Sequence, residues 1–429
     1  MEAEWQETTI GDQVDLATGE AFESARFGTT PDSGTLLARG DNIKEGEFEW
    51  GDKARYWPEL TPNLERRLLR DGDVLLGMDG SKVGKNWVQV REKDLPCLLV
   101  QRVACLRAKK SMDQQFLRYL IGNPDFAAYV ERVKTGTSIP HISGGQIKAY
   151  QILLPSRAEQ RTIAHILGSL DDKIELNRRM NETLEAMARA LFKSWFIDFG
   201  PVRAKTAGRD PDLPADIAAL FPDSFQDSEL GPIPRGWKAR SLRDVLTESN
   251  ERVGDAEVPE YSSTNTGLEL RSDHFKKKLA ASSAKNKLIR SGDLVFGLSR
   301  RILNFGLMRD DIGSVSTAYK VFAVDQHEIT PDLLQQMMRE RPSYFYNAIS
   351  GSTREGQSVS SEGLGQLKFT QPPAGLQRTF YGAVGPLSVL TTTLVKESMT
   401  IATLRDTLLP KLFSGELRAN DVKSVMEGG

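Results

Sequence analysis

The sequence predicts an α/β (α+β) protein in which two tandem globular domains are separated by two long antiparallel coiled-coil helices, with an approximate two-fold symmetry. Three observations predict this fold. A central segment without glycine between Ser169 and Phe199 carries a coiled-coil pattern, a C-terminal segment matches it, and short landmarks of the first half recur in the second half. A chain of 429 residues with 39% hydrophobic side chains is long enough for two cores.

The first domain is predicted to span residues 1–155 and to mix short strands with helices. A short helix or turn is expected around Ile10–Leu16, and a helix is expected to begin at Phe116–Ile121. Apolar runs bounded by turn residues predict strands at Val74–Leu76, Leu98–Leu106 and Tyr150–Leu154.

A long helix is predicted over residues 156–199. Asn177 and Asn181 occupy two positions of its seam, where Leu is expected. A helix of this length, roughly 57 Å at about 1.5 Å per residue, needs a partner helix to cover the seam. The apolar seam positions alternate at spacings of four and three: Ile163, Leu167, Leu170, Ile174, Leu184, Ala188, Leu191 and Trp195.

The predicted partner is a helix over residues 376–418, followed by a flexible tail at 419–429. With a shift of 217 positions, Leu170 matches Leu387 and Leu191 matches Leu408. If the two helices pack with matched ends, Asn177 faces the neighbourhood of Thr391, and polar side chains meet near the middle and fix the register. The alternative is that both asparagines turn outward to solvent.

Residues 200–236 are rich in proline and predict a semi-rigid connector on the surface, with one short helix at 215–220. The second domain, 237–375, then repeats the first. Trp237 matches Trp5, and LIRSGDLVFGL at 288–298 matches LLRDGDVLLGM at 68–78. The loops differ in length while the landmarks persist, which indicates a tandem repeat.

The charge distribution is not that of a uniformly basic nucleic-acid binder, but it allows two DNA-facing patches, one in each half of the chain. The net charge is −2, but residues 1–52 are strongly acidic, whereas 53–110 and 271–309 are basic. No apolar run approaches the length of a membrane span, and the N-terminus is not typical of a signal peptide. Cys97 and Cys105 are the only cysteines and lack a zinc-site spacing. A cytoplasmic protein is therefore expected.

Apparent catalytic motifs fail on inspection. DGSKVGKN at 79–86 lacks the first glycine and the Ser/Thr of a phosphate-binding loop, and NPDF at 123–126 lacks the second proline of the adenine-methyltransferase motif. The four histidines are scattered. Three hypotheses remain open: a non-catalytic DNA-recognition subunit, a self-sufficient DNA methyltransferase, and a coiled-coil scaffold without direct DNA readout.

The order of several blocks resembles that of the specificity (S) subunit of bacterial Type I restriction–modification systems. The blocks are GDVLLGMDG with GDLVFGL, TGTSIPHISGGQIKAYQILLPSRAEQRTIAHIL, LFKSWFIDFGPVRAK, LFPDSF, GPIPRGW and LLPKLFSGELR. The resemblance implies two target-recognition domains, 1–155 and 237–375, which each read one half of a bipartite site in double-stranded DNA. It also implies a helical spacer, no catalysis and no cofactor in this chain. Two methyltransferase subunits and two motor/nuclease subunits would bind S-adenosylmethionine, ATP and Mg.

Candidate DNA contacts lie in small-residue and basic loops. Arg can bond a guanine edge with two donors and Asn can do the same for adenine, whereas Lys suits phosphates. Half-sites about one helical turn apart, roughly 34 to 36 Å, suit a symmetric reader. The DNA candidates are Ser81, Lys82, Lys85, Thr135, Thr137, Ser138, His141, Lys276, Lys277, Arg300, Arg301, Asn304, Ser352, Thr353, Arg354 and Gln357. Apolar side chains on more than one face of the helix ends predict a docking surface for the methyltransferase subunits at Trp195, Phe196, Phe199, Leu412 and Phe413.

Overall fold

The computed structural model describes residues 5–264, 267–274, 283–297, 304–340, 348–353, 356–419 and 421–422. The chain divides into two compact units. The first unit comprises Met1–Arg179 and Leu394–Gly429, and the second comprises Met180–Thr393. Each unit therefore contains one globular domain and a part of each long helix.

The first unit contains nine strands and seven α-helices or parts of α-helices among its described residues. The strands are β1 (Gln6–Thr9), β2 (Val14–Thr18), β3 (Thr35–Ala38), β4 (Tyr56–Trp57), β5 (Val74–Gly77), β6 (Trp87–Gln89), β7 (Cys97–Leu99), β8 (Val103–Ala108) and β9 (Gln151–Leu154). The helices are α1 (Ile10–Gln13), α2 (Pro62–Glu65), α3 (Gln114–Ile121), α4 (Pro124–Val133), α5 (Gly144–Lys148) and the first part of α6 (Arg157–Phe192). The last part of the C-terminal helix completes the unit.

The second unit follows the same plan. Its strands are β10 (Phe225–Gln226), β11 (Ile233–Pro234), β12 (Lys238–Ser241), β13 (Leu246–Ser249), β14 (Tyr261–Ser263), β15 (Leu268–Leu270), β16 (Lys287–Arg290), β17 (Leu294–Phe296), β18 (Phe305–Leu307), β19 (Ile312–Val315), β20 (Lys320–Val324), β21 (Ile349–Thr353), β22 (Gly356–Val359) and β23 (Lys368–Gln371). Its helices are α7 (Gly200–Thr206), α8 (Ala215–Ala218), α9 (Arg271–His274), α10 (Pro331–Arg339), α11 (Ser361–Gln366) and the first part of α12 (Ala374–Ser414).

The two units share their sheet topology, which confirms the predicted repeat. The order β2-β8-β5-β6 in the first unit recurs as β13-β20-β17-β18 in the second, antiparallel throughout. The strand that opens each domain pairs with the strand that precedes the long helix, β1 with β9 and β12 with β23. Each domain is therefore closed at the point where its helix begins.

The two long helices confirm the prediction of extended helical segments. The α6 helix has 36 residues and continues directly into a π-helical turn at Lys193–Ile197, and α12 has 41 residues. Every predicted seam position from Ile163 to Trp195 is buried or partly buried, as a covered seam requires. Within the first unit, Asp171 contacts Arg405 and the later Asn177 contacts the earlier Glu397, so the two helices run antiparallel there.

Two details of the predicted fold were wrong. Leu98–Leu106 is not one strand but two, because Val100–Arg102 form a turn between β7 and β8, which belong to different sheets. The proline-rich residues 200–236 are not only a surface connector. They form α7, α8 and a short hairpin, and Val202, Phe221 and Ile233 are buried in the core of the second unit.

Candidate nucleic-acid interface

Three loop segments of the first unit meet at one edge of its four-stranded sheet. The amide of Met78, just after β5, donates to the carbonyl of Arg102 at 2.8 Å, and the amide of Ile142 donates to the carbonyl of Met78 at 2.9 Å. The amide of Gly80 donates to the carbonyl of Pro140 at 3.0 Å. Backbone hydrogen bonds therefore fix the relative positions of segments that are far apart in sequence.

A cleft of about 360 Å³ lies between these three segments and the end of β2. An exposed Arg102 guanidinium donates to the Asp79 carboxylate at 2.9 Å, and this pair lies beside the His141 side chain. The cleft presents both donors and acceptors, which is the composition that base edges require. Its lining residues are Thr18, Gly19, Met78, Asp79, Gln101, Arg102, His141 and Ile142.

His141 is the one predicted DNA contact that lines the cleft. Its Nε2 lies 3.0 Å from Oγ1 of Thr135, and the backbones of these two residues exchange hydrogen bonds of 2.8 and 2.9 Å. Gly136 sits between them with φ +88°, a conformation in which glycine is unstrained. The loop is therefore a closed turn, and Thr137 and Ser138 are exposed at its tip.

Ser81, Lys82 and Lys85 follow the cleft residue Asp79 in a turn, and all three side chains are exposed. The turn is held by the amide of Val83, which donates to the carbonyl of Gly80 at 3.2 Å, while Val83 itself is buried. The structure thus presents two lysines to solvent next to the cleft, where they can contact phosphates.

The sequence-based reasoning missed Asp79, Gln101 and Arg102. Asp79 was considered only as a defect in a phosphate-binding motif. The Gln-Arg pair lies inside the apolar run LLVQRVACL, where two adjacent polar residues are a signal for a turn rather than a continuous strand.

In the second unit, part of the predicted DNA surface is described. Asn304 precedes β18, and its carbonyl accepts a hydrogen bond from the amide of Gly297 at 2.9 Å. Ser352 and Thr353 end β21, and Gln357 lies in β22, which pairs with β21 in an antiparallel hairpin. Lys276, Lys277, Arg300, Arg301 and Arg354 lie outside the described residues.

Four of the predicted docking side chains are buried and Phe413 is partly buried, so they do not form the expected exposed surface. Trp195, Phe196 and Phe199 are 2%, 0% and 7% exposed and belong to the core of the second unit. Leu412 is fully buried in the core of the first unit, and Phe413 stacks on Phe116 with ring centroids 4.7 Å apart. These helix ends carry apolar side chains on several faces because they pack into their own units.

The polar break in the seam is paired, as predicted, but with different residues. Asn177 is fully buried, and its Nδ2 donates to Oε2 of Glu397 at 2.7 Å and to Oγ of Ser398 at 3.3 Å. Thr391, the predicted neighbour, is several residues away along α12. The predicted register was therefore wrong, since Asn177 meets α12 at Glu397 and Ser398 rather than at Thr391. The hydrogen bond from Asn177, followed by the contact with Lys173, holds the pKa of Glu397 below its ordinary value.

A second polar cluster ties α3 of the first unit to both long helices. The Asp171 carboxylate accepts from Nη2 of Arg118, from the Tyr119 hydroxyl and from Nη1 of Arg405, each at 2.7 Å. Burial raises the pKa of Asp171, but the charge of Arg118, then the hydrogen bonds from Arg405 and Tyr119, outweigh it, so the net pKa is lowered. Asp171 therefore remains ionised, held by two cations.

The NPDF segment and the two cysteines have structural roles. Asn123 of the NPDF segment caps α4 by accepting from the amide of Asp125 at 3.0 Å, and Phe126 is fully buried. Both cysteines are buried, which raises their thiol pKa. Among the described residues no group of His, Cys, Asp or Glu could hold a metal ion. None of the described helices is long and apolar enough to cross a membrane.

Residues 2–186 match the family described as "Type I restriction modification DNA specificity domain". The chain is 27% identical to the Type I restriction enzyme MjaIX specificity subunit of Methanocaldococcus jannaschii over 73% of this chain and 71% of that protein. It is 24% identical to the HindI specificity subunit of Haemophilus influenzae, over 71% of this chain and 77% of the relative. The crystal structure of a Type I S subunit from M. genitalium matches with a TM-score of 0.53 and 17% identity, covering 95% of this chain and 96% of that chain. This last likeness concerns the fold.

Proposed function

We propose that this chain is a specificity subunit of the Type I restriction–modification family and that it recognises a bipartite DNA target in which each domain reads one half-site. The observation that carries this proposal is the repeated sheet topology, since β2-β8-β5-β6 and β13-β20-β17-β18 provide two equivalent scaffolds for reading loops. Two similar scaffolds in one chain suit a site with two halves.

The cleft of the first unit supplies the chemistry of a reading surface. Exposed Lys82 and Lys85 beside the cleft are placed to neutralise phosphates, which would supply sequence-independent affinity. Polar groups inside the cleft, including Arg102 and His141, can bond base edges and supply specificity. The second domain would read the other half-site with its own loops.

The long helices would act as the spacer that fixes the distance between the two half-sites. The buried contact between Asn177 and Glu397 stabilises one register of α6 against α12, because a shifted helix would leave the amide unpaired. A slip by one heptad would move a helix by roughly 10 Å, about three base pairs of DNA.

In this proposal the chain is non-catalytic and acts through partners. Two methyltransferase subunits and two motor/nuclease subunits would supply methylation, ATP-driven motion and cleavage, with S-adenosylmethionine, ATP and Mg bound in those partners. Since the helix-end aromatic side chains are buried, exposed apolar side chains along the long helices are better candidates for contacts with a methyltransferase. Met399 is 66% exposed on the α12 part of the first unit, and Val389 is 68% exposed in the second.

A gel-shift experiment separates this function from its alternatives. The chain is mixed with its methyltransferase subunits, S-adenosylmethionine and DNA that carries the sequence motif methylated in the genome of its host. Sequence-specific retardation that requires this chain is expected. Methylation by this chain alone would instead identify a methyltransferase, and methylation by the partners at the same motif without this chain would identify a scaffold.

A further inference from the structure

We propose that Arg102 reads a guanine in the half-site of the first domain and that Asp79 orients its guanidinium. This inference rests on the proposed function and names one base position within it. It is carried by the backbone at Arg102, by the geometry of its side chain and by the charge of its neighbour.

The backbone at Arg102 is held in a left-handed conformation, with φ +64°. A long side chain is disfavoured in this conformation relative to glycine, because its Cβ crowds the backbone. Strained residues of this kind persist where the surrounding structure fixes them, and they cluster at ligand sites. A glycine or asparagine would satisfy the turn, so the turn alone does not explain an arginine.

The turn that carries Arg102 is fixed from both sides. On one side, the Arg102 carbonyl accepts from the amide of Met78. On the other side, the amide of Gln101 donates to the carbonyl of Glu20 at 2.7 Å. Gly19 lies so close that a Cβ there would be 2.1 Å from the carbonyl oxygen of Val100. The base of the Arg102 side chain is therefore held in place before any ligand binds.

The side chain itself remains available. It is 65% exposed, and within the described part of the chain its hydrogen-bond partner is Asp79, reached by Nη1 at 2.9 Å. A guanidinium has five N–H donors, so one contact with Asp79 leaves enough donors for both O6 and N7 of a guanine. The Asp79 side chain is only 26% exposed, so it holds the Arg102 guanidinium from the protein side and orients it.

The Asp79 carboxylate also favours a base over a phosphate as the ligand of Arg102. A phosphate bound to Arg102 would lie near the negative charge of Asp79 and would be repelled by it. A neutral base edge has no such penalty. Lys82 and Lys85 are exposed in the turn that follows Asp79 and are better candidates for phosphate contacts.

The second domain lacks this side chain. Leu76 pairs with Ala104 in the first unit and Phe296 pairs with Lys320 in the second, so by strand register Arg102 corresponds to Ala318. The inference therefore concerns one half-site and not the other. The target is expected to be asymmetric at this position.

The test uses the complex of the full chain with its methyltransferase subunits and selects bound sites from a library of randomised DNA. Arg102→Gly is the main variant because glycine accepts the positive φ, so the turn is expected to fold at least as well as in the wild type. Arg102→Lys keeps the charge but loses the two-donor geometry. Arg66→Ala is the control, since it removes an equal charge from an exposed position outside the cleft.

Both Arg102 variants are expected to lose the preference for one G·C pair in one half-site, with every other position unchanged. Affinity for the wild-type site should fall about 5- to 150-fold for Arg102→Gly. Arg66→Ala should keep the wild-type motif.

Three results would overturn the inference and leave the proposed function standing. They are an unchanged motif and affinity in both Arg102 variants, a wild-type half-site without guanine, and a uniform loss of affinity for all sequences with a weaker salt dependence, which would identify a phosphate contact. A wild-type complex that selects no motif would instead contradict the proposed function.

Discussion

Two clusters of contacts around the long helices, one in each unit, differ in their chemistry. In the first unit, the Asp171 carboxylate joins α6 to Arg118 and Tyr119 of α3 and to Arg405 of α12. In the second unit the cluster is aromatic, and its ring centroids lie between 5.0 and 6.1 Å apart. Its members are Phe192, Trp195, Phe196, Phe221 and Phe380.

This difference shows which features the repeat preserves. The sheet order, the two helices and one buried amide contact recur, since Gln160 accepts from the amide of Asp113 and Gln377 accepts from the amide of Thr330. The Asp171 cluster, in contrast, involves residues of the first unit alone, and the aromatic cluster involves residues of the second. An ion-pair cluster depends on exact donor and acceptor positions, so it can fix the orientation of the first domain on its helices. An aromatic cluster contributes more through buried area and tolerates small shifts, and so it chiefly stabilises the second unit.

The largest expected effect comes from the aromatic cluster. Trp195→Ala should lower the free energy of unfolding by about 3 to 5 kcal/mol, because it opens a cavity around a side chain that is 2% exposed. Chemical denaturation followed by tryptophan fluorescence and circular dichroism measures the change. Met187→Ala, in α6 just before the turn that carries Trp195 and 55% exposed, is the control and should leave stability nearly unchanged. A Trp195→Ala protein as stable as the wild type would remove the contrast between the units.

Removal of the carboxylate from the polar cluster should also be costly. Asp171→Ala leaves Arg118 and Arg405 without their shared partner, and the loss of one side of a buried ion pair costs about 3 kcal/mol. Denaturant unfolding of the variant measures the loss. Glu175→Ala is the matched control, since this carboxylate lies on the same helix and pairs with the exposed Arg178 and Arg179. Equal losses for the two variants would contradict a special role for Asp171.

The polar cluster also predicts a pH dependence. Asp171 has a lowered pKa in the folded protein relative to its ordinary value of 3.8, so its ionised form stabilises the fold. This contribution is fully present above the unfolded pKa and is lost as the pH falls through the folded pKa. The stability difference between wild type and Asp171→Asn should therefore shrink below about pH 4. Thermal melts of both proteins across the acid range test this, and a constant difference would contradict it.

The repeated elements of the fold could be predicted from the sequence better than the contacts between those elements. The coiled-coil seam was predictable because one face of α6 must be covered, and even the polar Asn177 kept its seam position. The helix register was not predictable, because it depends on where each helix ends. The matched segments 68–78 and 288–298 correctly predicted the positions of β5 and β17, since a short apolar run bounded by turn residues is typical of a buried strand.

The candidate site was predictable only in part. His141 was found because it lies in a loop of small residues, whereas Arg102 lies in an apolar run that was interpreted as one strand. Its turn arises because β7 and β8 join different sheets, which is a property of the tertiary structure. The packing of residues 200–236 was missed for a similar reason, since prolines interrupt long helices but do not show which core a segment covers.

The smallest expected effect concerns the seam. Asn177→Leu should raise the melting temperature, with a gain of up to about 1 kcal/mol, because a buried amide whose Oδ1 lacks a partner is replaced by an apolar group. The same variant should loosen the choice of spacer length, as measured by methylation of DNA substrates that differ only in the gap between half-sites. A lower melting temperature together with an unchanged spacer profile would contradict this account of the register.

Methylome sequencing of cells that carry this chain with its methyltransferase subunits tests the central claim most directly. The account predicts one bipartite motif, with two defined half-sites separated by a nonspecific gap of fixed length. Exchange of residues 237–375 for the corresponding domain of another specificity subunit should replace one half-site and leave the other intact. A contiguous motif, or a change in both half-sites after this exchange, would contradict the claim that each domain reads its own half of the target.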